Sequence, residues 1–182
     1  MPHGLIAFVR AVEALNYRVG RAAMYLLFVI MGILIWSSLT KVIKVPAIWT
    51  LEMAQFTLVA YYLLGAPYSI QLGANVRMDL LYARWSPRGQ AIWDVFTVFA
   101  LLFYLAVMLY GAIDSTAYSL QMGERNPTAW RPYLWPIKVV ICLSFVLMIL
   151  QALAYLVRDV AIIRGQPIPP SRGEIEAAEG AA

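Results

Sequence analysis

The sequence is poor in the residue types that catalysis and metal binding require. His3 is the only histidine and Cys142 the only cysteine among 182 residues. A single histidine excludes a bis-histidine haem or a histidine metal site within one chain, and a single cysteine excludes an intrachain disulfide or a cysteine metal cluster. There is no glycine-rich phosphate loop, and no serine or cysteine is matched with a histidine that would activate it. We therefore expect no catalytic residues, no metal site and no cofactor in this chain, which argues against an enzyme.

Charge is also scarce. Only 13% of the residues are charged and 62% are hydrophobic, with a mean hydropathy of +0.71, whereas soluble domains usually contain about 25% charged and 45–50% apolar residues. A soluble core of this size cannot hide so much apolar surface, so membrane lipids must surround one membrane domain. The net charge of +4 does not indicate a nucleic-acid partner, because the basic residues are scattered and flank apolar runs.

The chain instead contains four long runs without charge. Each run is close to the ~20 apolar residues that a helix needs to cross a bilayer; the runs are Ala22–Thr40, Met53–Val76, Val95–Ile113 and Val139–Val157. They predict an all-α integral membrane protein with four transmembrane helices, at about 22–40, 48–72, 90–114 and 135–158, since lipid cannot satisfy exposed backbone groups. Pro67 predicts a kink or an early stop in the second helix.

Tryptophan and basic residues indicate how the spans are oriented. All six tryptophans fall near predicted helix ends, as in an interfacial aromatic belt: Trp36, Trp49, Trp130 and Trp135 near one set, Trp85 and Trp93 near the other. With the N-terminus inside, the inner segments carry nine arginines and the outer segments five basic residues. This asymmetry predicts that both termini are cytoplasmic.

The segments outside the four spans differ in character. Residues 1–21 form a predicted cytoplasmic amphipathic segment, in which Leu5, Phe8, Val12, Leu15 and Val19 share one face and Arg10, Glu13 and Tyr17 the opposite one. It either lies on the inner leaflet or extends the first span into the cytoplasm. Residues 22–164 form the four-helix membrane domain. Residues 165–182, rich in proline, small residues and glutamate, form a cytoplasmic tail that we expect to be disordered.

Charges occur only near the ends of the predicted spans, at Glu52, Asp94, Asp114 and Lys138. Mid-membrane acids or bases mark most ion pathways, so a transport pathway within this chain alone is hard to see. Glu52 suits the positive N-terminal end of the second helix. Asp94 either pairs with Arg84, Arg88 or a partner subunit, or is hydrated.

Lys138 stands in the first turn of the fourth helix, where the helix dipole disfavours a cation. We expect a carboxylate partner, either Glu52 or Asp114, which lie at a matching outer depth; the alternative is that the lysine extends to the lipid headgroups. Small residues that allow close helix contacts are Gly32, Ser37, Ala60, Gly65, Ala66 and Gly111.

Two stretches resemble a known transporter family. Residues 49–81, "WTLEMAQFTLVAYYLLGAPYSIQLGANVRMDLL", resemble the small, DctQ-like permease subunit of tripartite ATP-independent periplasmic (TRAP) transporters, with Trp49, Glu52, a Leu-Gly-Ala ending at Ala66, and then "NVRMDLL". Asn75 stands where the family usually has histidine. The stretch "GERNPTAWRPYLWPIKVVICLSFVLMILQALA" resembles the family's last outer loop and fourth helix.

The resemblance implies a multi-pass protein of the bacterial inner membrane with no site of its own. Its implied partners are a large multispanning permease subunit, which holds the substrate and sodium sites, and a periplasmic binding protein that delivers a carboxylate-type substrate. The small subunit would act as a scaffold and help to dock the binding protein. Structural or subunit-interface candidates are Glu52, Gly65, Arg77, Asp79, Asp94, Asp114 and Lys138, and docking candidates are Lys44, Glu124, Arg125 and Arg131.

Two other classes of protein share some of these features. One is a stand-alone four-helix anchor or assembly protein of another complex, which would be stable alone and have no link to carboxylate uptake. The other is a small multidrug-type exporter, which needs an acid well inside its first helix. Ala22–Thr40 contains none, which disfavours the exporter.

Overall fold

A computed structural model describes residues 3–45, 47–72 and 87–164 and the single positions 169 and 175, without the side chains of 3 and 87–95. Within these residues four helices follow one another: α1 (His3–Val42), α2 (Thr50–Gln71), α3 (Pro87–Met122) and α4 (Trp135–Ile163). The described ranges contain no strand, only one isolated antiparallel bridge between Arg125 and Tyr133. The predicted all-helical class is confirmed.

Three of the four helices are long and apolar enough to cross a membrane, at Gly4–Val42, Phe96–Met122 and Trp135–Ile163. α2 is not among them, because Glu52 and Gln55 in its first turns and the tyrosines further along lower its hydropathy. It runs four residues past Pro67, so the proline does not end it early. That α2 crosses the membrane stays a prediction, and so does the orientation of the termini.

The first helix is unusually long. Its 40 residues correspond to about 60 Å, well beyond the ~30 Å of a hydrocarbon core. The predicted amphipathic segment therefore continues into the first span without a break, as in the second of the two expected arrangements, while its cytoplasmic location stays a prediction. The structure shows that this segment packs on α4, through Val9 and Val12 against Ala154.

Buried residues recur at heptad intervals on α1 and α4, and the first half of α1 packs on α4. The buried residues of α1 include Val9, Asn16, Ala23 and Ile30, seven residues apart, while those of α4 include Ser144, Leu147, Gln151, Ala154 and Ala161, spaced by three, four or seven. Such spacing keeps one stripe of each helix on the partner over several turns. The helices are antiparallel, since residue 13 meets 158 and residue 16 meets 151.

The other contacts form two hairpins around this seam. α1 packs along α2, and α3 along α4, while α2 also reaches α4. Among the described helices, α3 makes substantial contacts with α4 only. The connection from α1 to α2 and the connection from α3 to α4 lie at the same end of the bundle, which we call the outer end.

Candidate docking and subunit-contact surfaces

Lys138 organises the outer end of the α3–α4 hairpin. Its Nζ atom lies 2.7 Å from Glu124 Oε2 and donates hydrogen bonds to Ser119 Oγ at 2.5 Å and to the Ser115 carbonyl at 3.3 Å. The Ser119 hydroxyl also donates to Glu124. The expected ion pair is therefore present, but the expected partners, Glu52 and Asp114, were wrong. Gly123, with φ +60, turns the chain so that Glu124 returns beside Ser119, a step that needs αL geometry.

This cluster perturbs the carboxyl group of Glu124. The hydrogen bond from Lys138 and then that from Ser119 lower its pKa. Burial opposes them less strongly, and the positive charge of Lys138 adds a smaller lowering effect. Glu124 is thus held as a carboxylate by groups of its own chain. As a docking candidate it offers a binding partner less free charge than its sequence position suggests.

The rest of the α3–α4 connection is an ordered loop. The Asn126 amide donates to the Pro132 carbonyl at 2.9 Å, and the Leu134 amide to the Glu124 carbonyl at 3.1 Å. The Arg125 guanidinium lies over the Tyr133 ring, 4.2 Å from its centroid, and donates to the Tyr133 hydroxyl. Such stacking fixes a long side chain in one orientation.

Three of the docking candidates are exposed at this end: Lys44, Arg125 and Arg131. Lys44 and Arg131 adopt positive φ values of 60 and 52, so both stand at sharp turns of their connections. Because Glu124 is neutralised by Lys138, the three exposed cations leave this surface positively charged.

Glu52 and Gly65 occupy different environments on α2. Glu52 lies in the first turn, as expected for an acid at a helix start, but it is 4% exposed, and its Oε2 atom has no hydrogen-bond partner. Nearby, Thr50 donates hydrogen bonds to the Ala47 carbonyl and to Ser37 Oγ. A Cβ atom at Gly65 would meet nothing within 4 Å. Gly65 therefore makes no close helix contact within the described chain, and Glu52 is an internal residue.

The close contact between α1 and α2 occurs elsewhere. A Cβ atom built on Gly20 would lie 2.3 Å from Cβ of Tyr68, whereas Gly32 and Gly111 face open space. Gly32 and Gly111 therefore make no close helix contact within the described chain, and a close contact of either glycine with another subunit stays a prediction. Gly20 was missed because it precedes the first charge-free run, although its place on the buried heptad stripe of α1 is a signal in the sequence.

Polar groups join three helices at the opposite, inner end. The Arg158 guanidinium lies 2.8 Å from Glu13 Oε1, with side-chain exposures of 13% and 6%. The Asn16 amide donates to Gln151 Oε1 at 2.6 Å, and the Tyr155 hydroxyl donates to the Ile70 carbonyl at 2.5 Å. We call these residues the inner polar cluster.

This cluster departs in part from the expected amphipathic pattern of the first segment, in which Val12 is buried and Arg10 exposed as predicted. Glu13 was placed on the polar outward face, but it is buried together with Asn16, while Leu5, Phe8 and Leu15 are partly exposed. The reason is that the partners of Glu13 and Asn16 lie on α4, so burial is compensated by an ion pair and a hydrogen bond. Exposed apolar side chains are tolerated because lipid is the surrounding solvent for much of the chain.

α3 leaves one face uncovered. Leu105, Thr116 and Ser119 are buried on the side towards α4. At 100° per residue, Asp114 lies about 180° around the helix from Leu105, and it is exposed without an ion pair to the described part of the chain. Exposed rings flank it on the same side: Phe96, Phe103 and Tyr110, between 66% and 78% exposed.

The remaining candidates cannot be placed. Arg77 and Asp79 lie outside the described residues, as does the side chain of Asp94 and most of the tail from 165 onwards. Asp94 belongs to α3 by its backbone. Cys142, on α4, is half-buried beside the Thr116 hydroxyl at 3.3 Å.

Comparison with known proteins identifies the family. The family model described as "Tripartite ATP-independent periplasmic transporters, DctQ component" matches residues 30–162, well over half of the chain. The chain belongs to the DctQ family. It is therefore a small membrane subunit of a TRAP transporter, a multi-pass protein of the inner membrane. The match begins in the middle of α1, so Glu13 and Asn16 precede it.

One curated relative of this DctQ component is the isethionate TRAP transporter permease protein DctMQ of Oleidesulfovibrio alaskensis. It is 29% identical over 116 residues, which are 64% of this chain and 18% of that protein. The chain therefore matches only a small fraction of its relative's length. No solved structure matches the chain.

Proposed function

We propose that this DctQ component is the scaffold subunit of a sodium-driven secondary transporter and packs against a large multispanning permease subunit. The relative named DctMQ supports this, because it is a TRAP permease protein far longer than the stretch that matches. The middle of each predicted span in this chain lacks aspartate, glutamate, lysine, arginine and histidine. We therefore assign the substrate and sodium sites to the large subunit.

The free face of α3 is the observation that carries the proposal. Asp114 lies on this face within the apolar segment Phe96–Met122, at the outer end of the predicted span and next to Ser115, whose carbonyl accepts a hydrogen bond from Lys138. Lipid covers aromatic rings well, but it leaves a carboxylate at this depth poorly compensated. A helix of the large subunit bearing an arginine or lysine would cover the rings and pair with Asp114.

The positive surface of the outer end suits a second partner. Lys44, Arg125 and Arg131 would attract an acidic patch on a periplasmic substrate-binding protein, which raises the rate of encounter more than the affinity. The substrate that this protein delivers would be a small organic anion. The resemblance implies a carboxylate, and the relative is named for isethionate, a sulfonate.

Affinity purification of the tagged chain from native membranes in mild detergent, followed by mass spectrometry, tests the assembly. We expect a large multispanning permease in near-equal amount. Recovery of this chain alone, or as a homo-oligomer, would instead favour a stand-alone membrane anchor or assembly protein.

Matched variants test the contact face. Asp114→Asn and Phe103→Ala should lower the recovered ratio of large to small subunit. Phe28→Ala removes a ring of similar exposure, 67% against 71%, from α1 and should leave the ratio unchanged. If all three variants recover the permease equally, the large subunit binds another face.

A further inference from the structure

A groove opens at the inner end, between the start of α1 and the last turns of α4. Its volume is about 170 Å³. Four apolar side chains and one cation line it: Leu5, Leu156, Val157, Val160 and Arg164. The groove is therefore an apolar channel with a positive charge at one end.

The two arginines near the groove differ in whether their charge is already paired within the chain. The Arg158 guanidinium lies 2.8 Å from Glu13 Oε1 and donates a hydrogen bond of 3.5 Å to the Pro169 carbonyl. Its charge is thus compensated within the chain. Arg164 is exposed, and its guanidinium makes no ion pair with the described residues. Arg164 is the cation left for a ligand.

The depth of the groove corresponds to the boundary between lipid tails and headgroups. α4 has 29 residues and is about 44 Å long, close to the full thickness of a bilayer with its headgroups. With Trp135 at one interface, Arg164 reaches the headgroup layer of the other. Val160 and Leu156 then lie about 6 and 12 Å deeper, among the acyl chains.

We propose that this groove binds one anionic phospholipid, with its phosphate on Arg164 and the upper part of an acyl chain along Val160, Val157 and Leu156. A guanidinium matches a phosphate in charge and in hydrogen-bonding geometry. The groove lining contains one cation, Arg164, and no acidic side chain. A lipid with net negative charge is therefore favoured over a zwitterionic one. The bound lipid fills the gap between α1 and α4 beside the inner polar cluster.

Native mass spectrometry of the purified full-length chain, titrated with phosphatidylglycerol or phosphatidylcholine, tests this. We expect one tight phosphatidylglycerol adduct per chain and weaker binding of phosphatidylcholine. Arg164→Gln should weaken the phosphatidylglycerol adduct about fivefold, the effect of about 1 kcal/mol per basic residue near a membrane surface. Inorganic phosphate in excess should not displace the lipid, because it lacks the acyl chain.

Two variants separate this site from general charge and from misfolding. Arg10→Gln removes an exposed cation of α1 that does not line the groove, and it should bind lipid as the wild type does. Val160→Phe fills the groove, keeps Arg164 and should weaken both lipids. Equal binding by Arg164→Gln and wild type, or an equal loss in Arg10→Gln, would overturn the proposal. Helical content by circular dichroism shows that each variant is folded.

Discussion

Lys138 places a positive charge in the first turn of α4, where the helix dipole is unfavourable to it, and neighbouring oxygen atoms compensate for this. The first turn of α4 exposes backbone amides that repel a positive charge, but Glu124 and Ser119 place oxygen atoms within 2.7 Å of its Nζ. The carboxylate comes from the turn that immediately follows α3. The pair therefore ties the end of one helix to the start of the next and stabilises the whole outer loop.

The pKa shift gives this pair a pH dependence. A carboxyl group whose pKa is lowered by folding stabilises the chain above its ordinary value of 4.5 and loses that contribution as the pH falls through the lowered value. Glu124→Gln should therefore lower the melting temperature at pH 7, and the difference from the wild type should vanish in strongly acidic buffer. Thermal unfolding in detergent across this range measures it.

A double-mutant cycle serves as the control. In a Lys138→Met background, Glu124→Gln should change the melting temperature at pH 7 much less than in the wild type. An equal decrease in both backgrounds would mean that Glu124 stabilises the loop independently of Lys138.

Among the helices, α1 depends on one glycine for its contact with α2. The backbone of Gly20 approaches Tyr68 so closely that an added methyl group overlaps Cβ and Cγ of the tyrosine, at 2.3 and 2.4 Å. The Cβ atom of Tyr68 is bonded to the main chain and cannot rotate away, so α1 and α2 must separate. Gly20→Ala should reduce stability by about 1–3 kcal/mol, as overpacking does in other cores, measured by denaturant unfolding in mixed micelles.

Two other glycines supply matched controls. Gly32→Ala and Gly111→Ala add the same methyl group where nothing lies within 4 Å, and they remove the low helix propensity of glycine. Their stability should equal or exceed that of the wild type. A Gly20→Ala variant as stable as these would show that the helices accommodate the methyl group without cost.

The sequence predicts the existence of the helices better than their ends and contacts. Charge-free runs predict that helices exist near 22–40 and 135–158, because lipid requires hydrogen-bonded backbone. They do not predict where helices end: α3 continues eight residues past Asp114 to Met122, since a charged side chain does not interrupt backbone hydrogen bonding. Lys138 was expected to pair, but only the turn at Gly123 brings Glu124 to it.

The inner polar cluster could not be predicted from local sequence patterns, because its residues are far apart in the chain. Glu13 was predicted to face outward because its partner, Arg158, lies on a distant helix. Asn16 and its partner Gln151 are likewise more than 130 residues apart in the chain. Only the antiparallel packing of α1 on α4 brings these groups together. Heptad spacing on both helices is the one signal in the sequence that indicates this packing, and it does not state which residues face each other.

For the whole molecule, the crossing of α2 decides the topology. α1 and α4 are antiparallel, and three helices are apolar enough to span. If α2 also crosses, its 22 residues, about 33 Å long, carry the chain back to the inner side, as the nine-to-five distribution of basic residues predicts. If α2 did not cross, α3 would start on the outer side, and its antiparallel hairpin with α4 would make α4 parallel to α1. The contacts of residue 13 with 158 and of residue 16 with 151 argue against this arrangement.

Single-cysteine labelling in a chain with Cys142 replaced by alanine distinguishes the two arrangements. Lys44→Cys, on the exposed connection between α1 and α2, should react with an impermeant maleimide added to intact cells. Ser86→Cys should react only after permeabilisation, and Arg10→Cys, on the inner extension of α1, should behave like Ser86→Cys. Labelling of Ser86→Cys from outside would mean that α2 does not cross, and labelling of Arg10→Cys from outside would reverse the orientation of the termini.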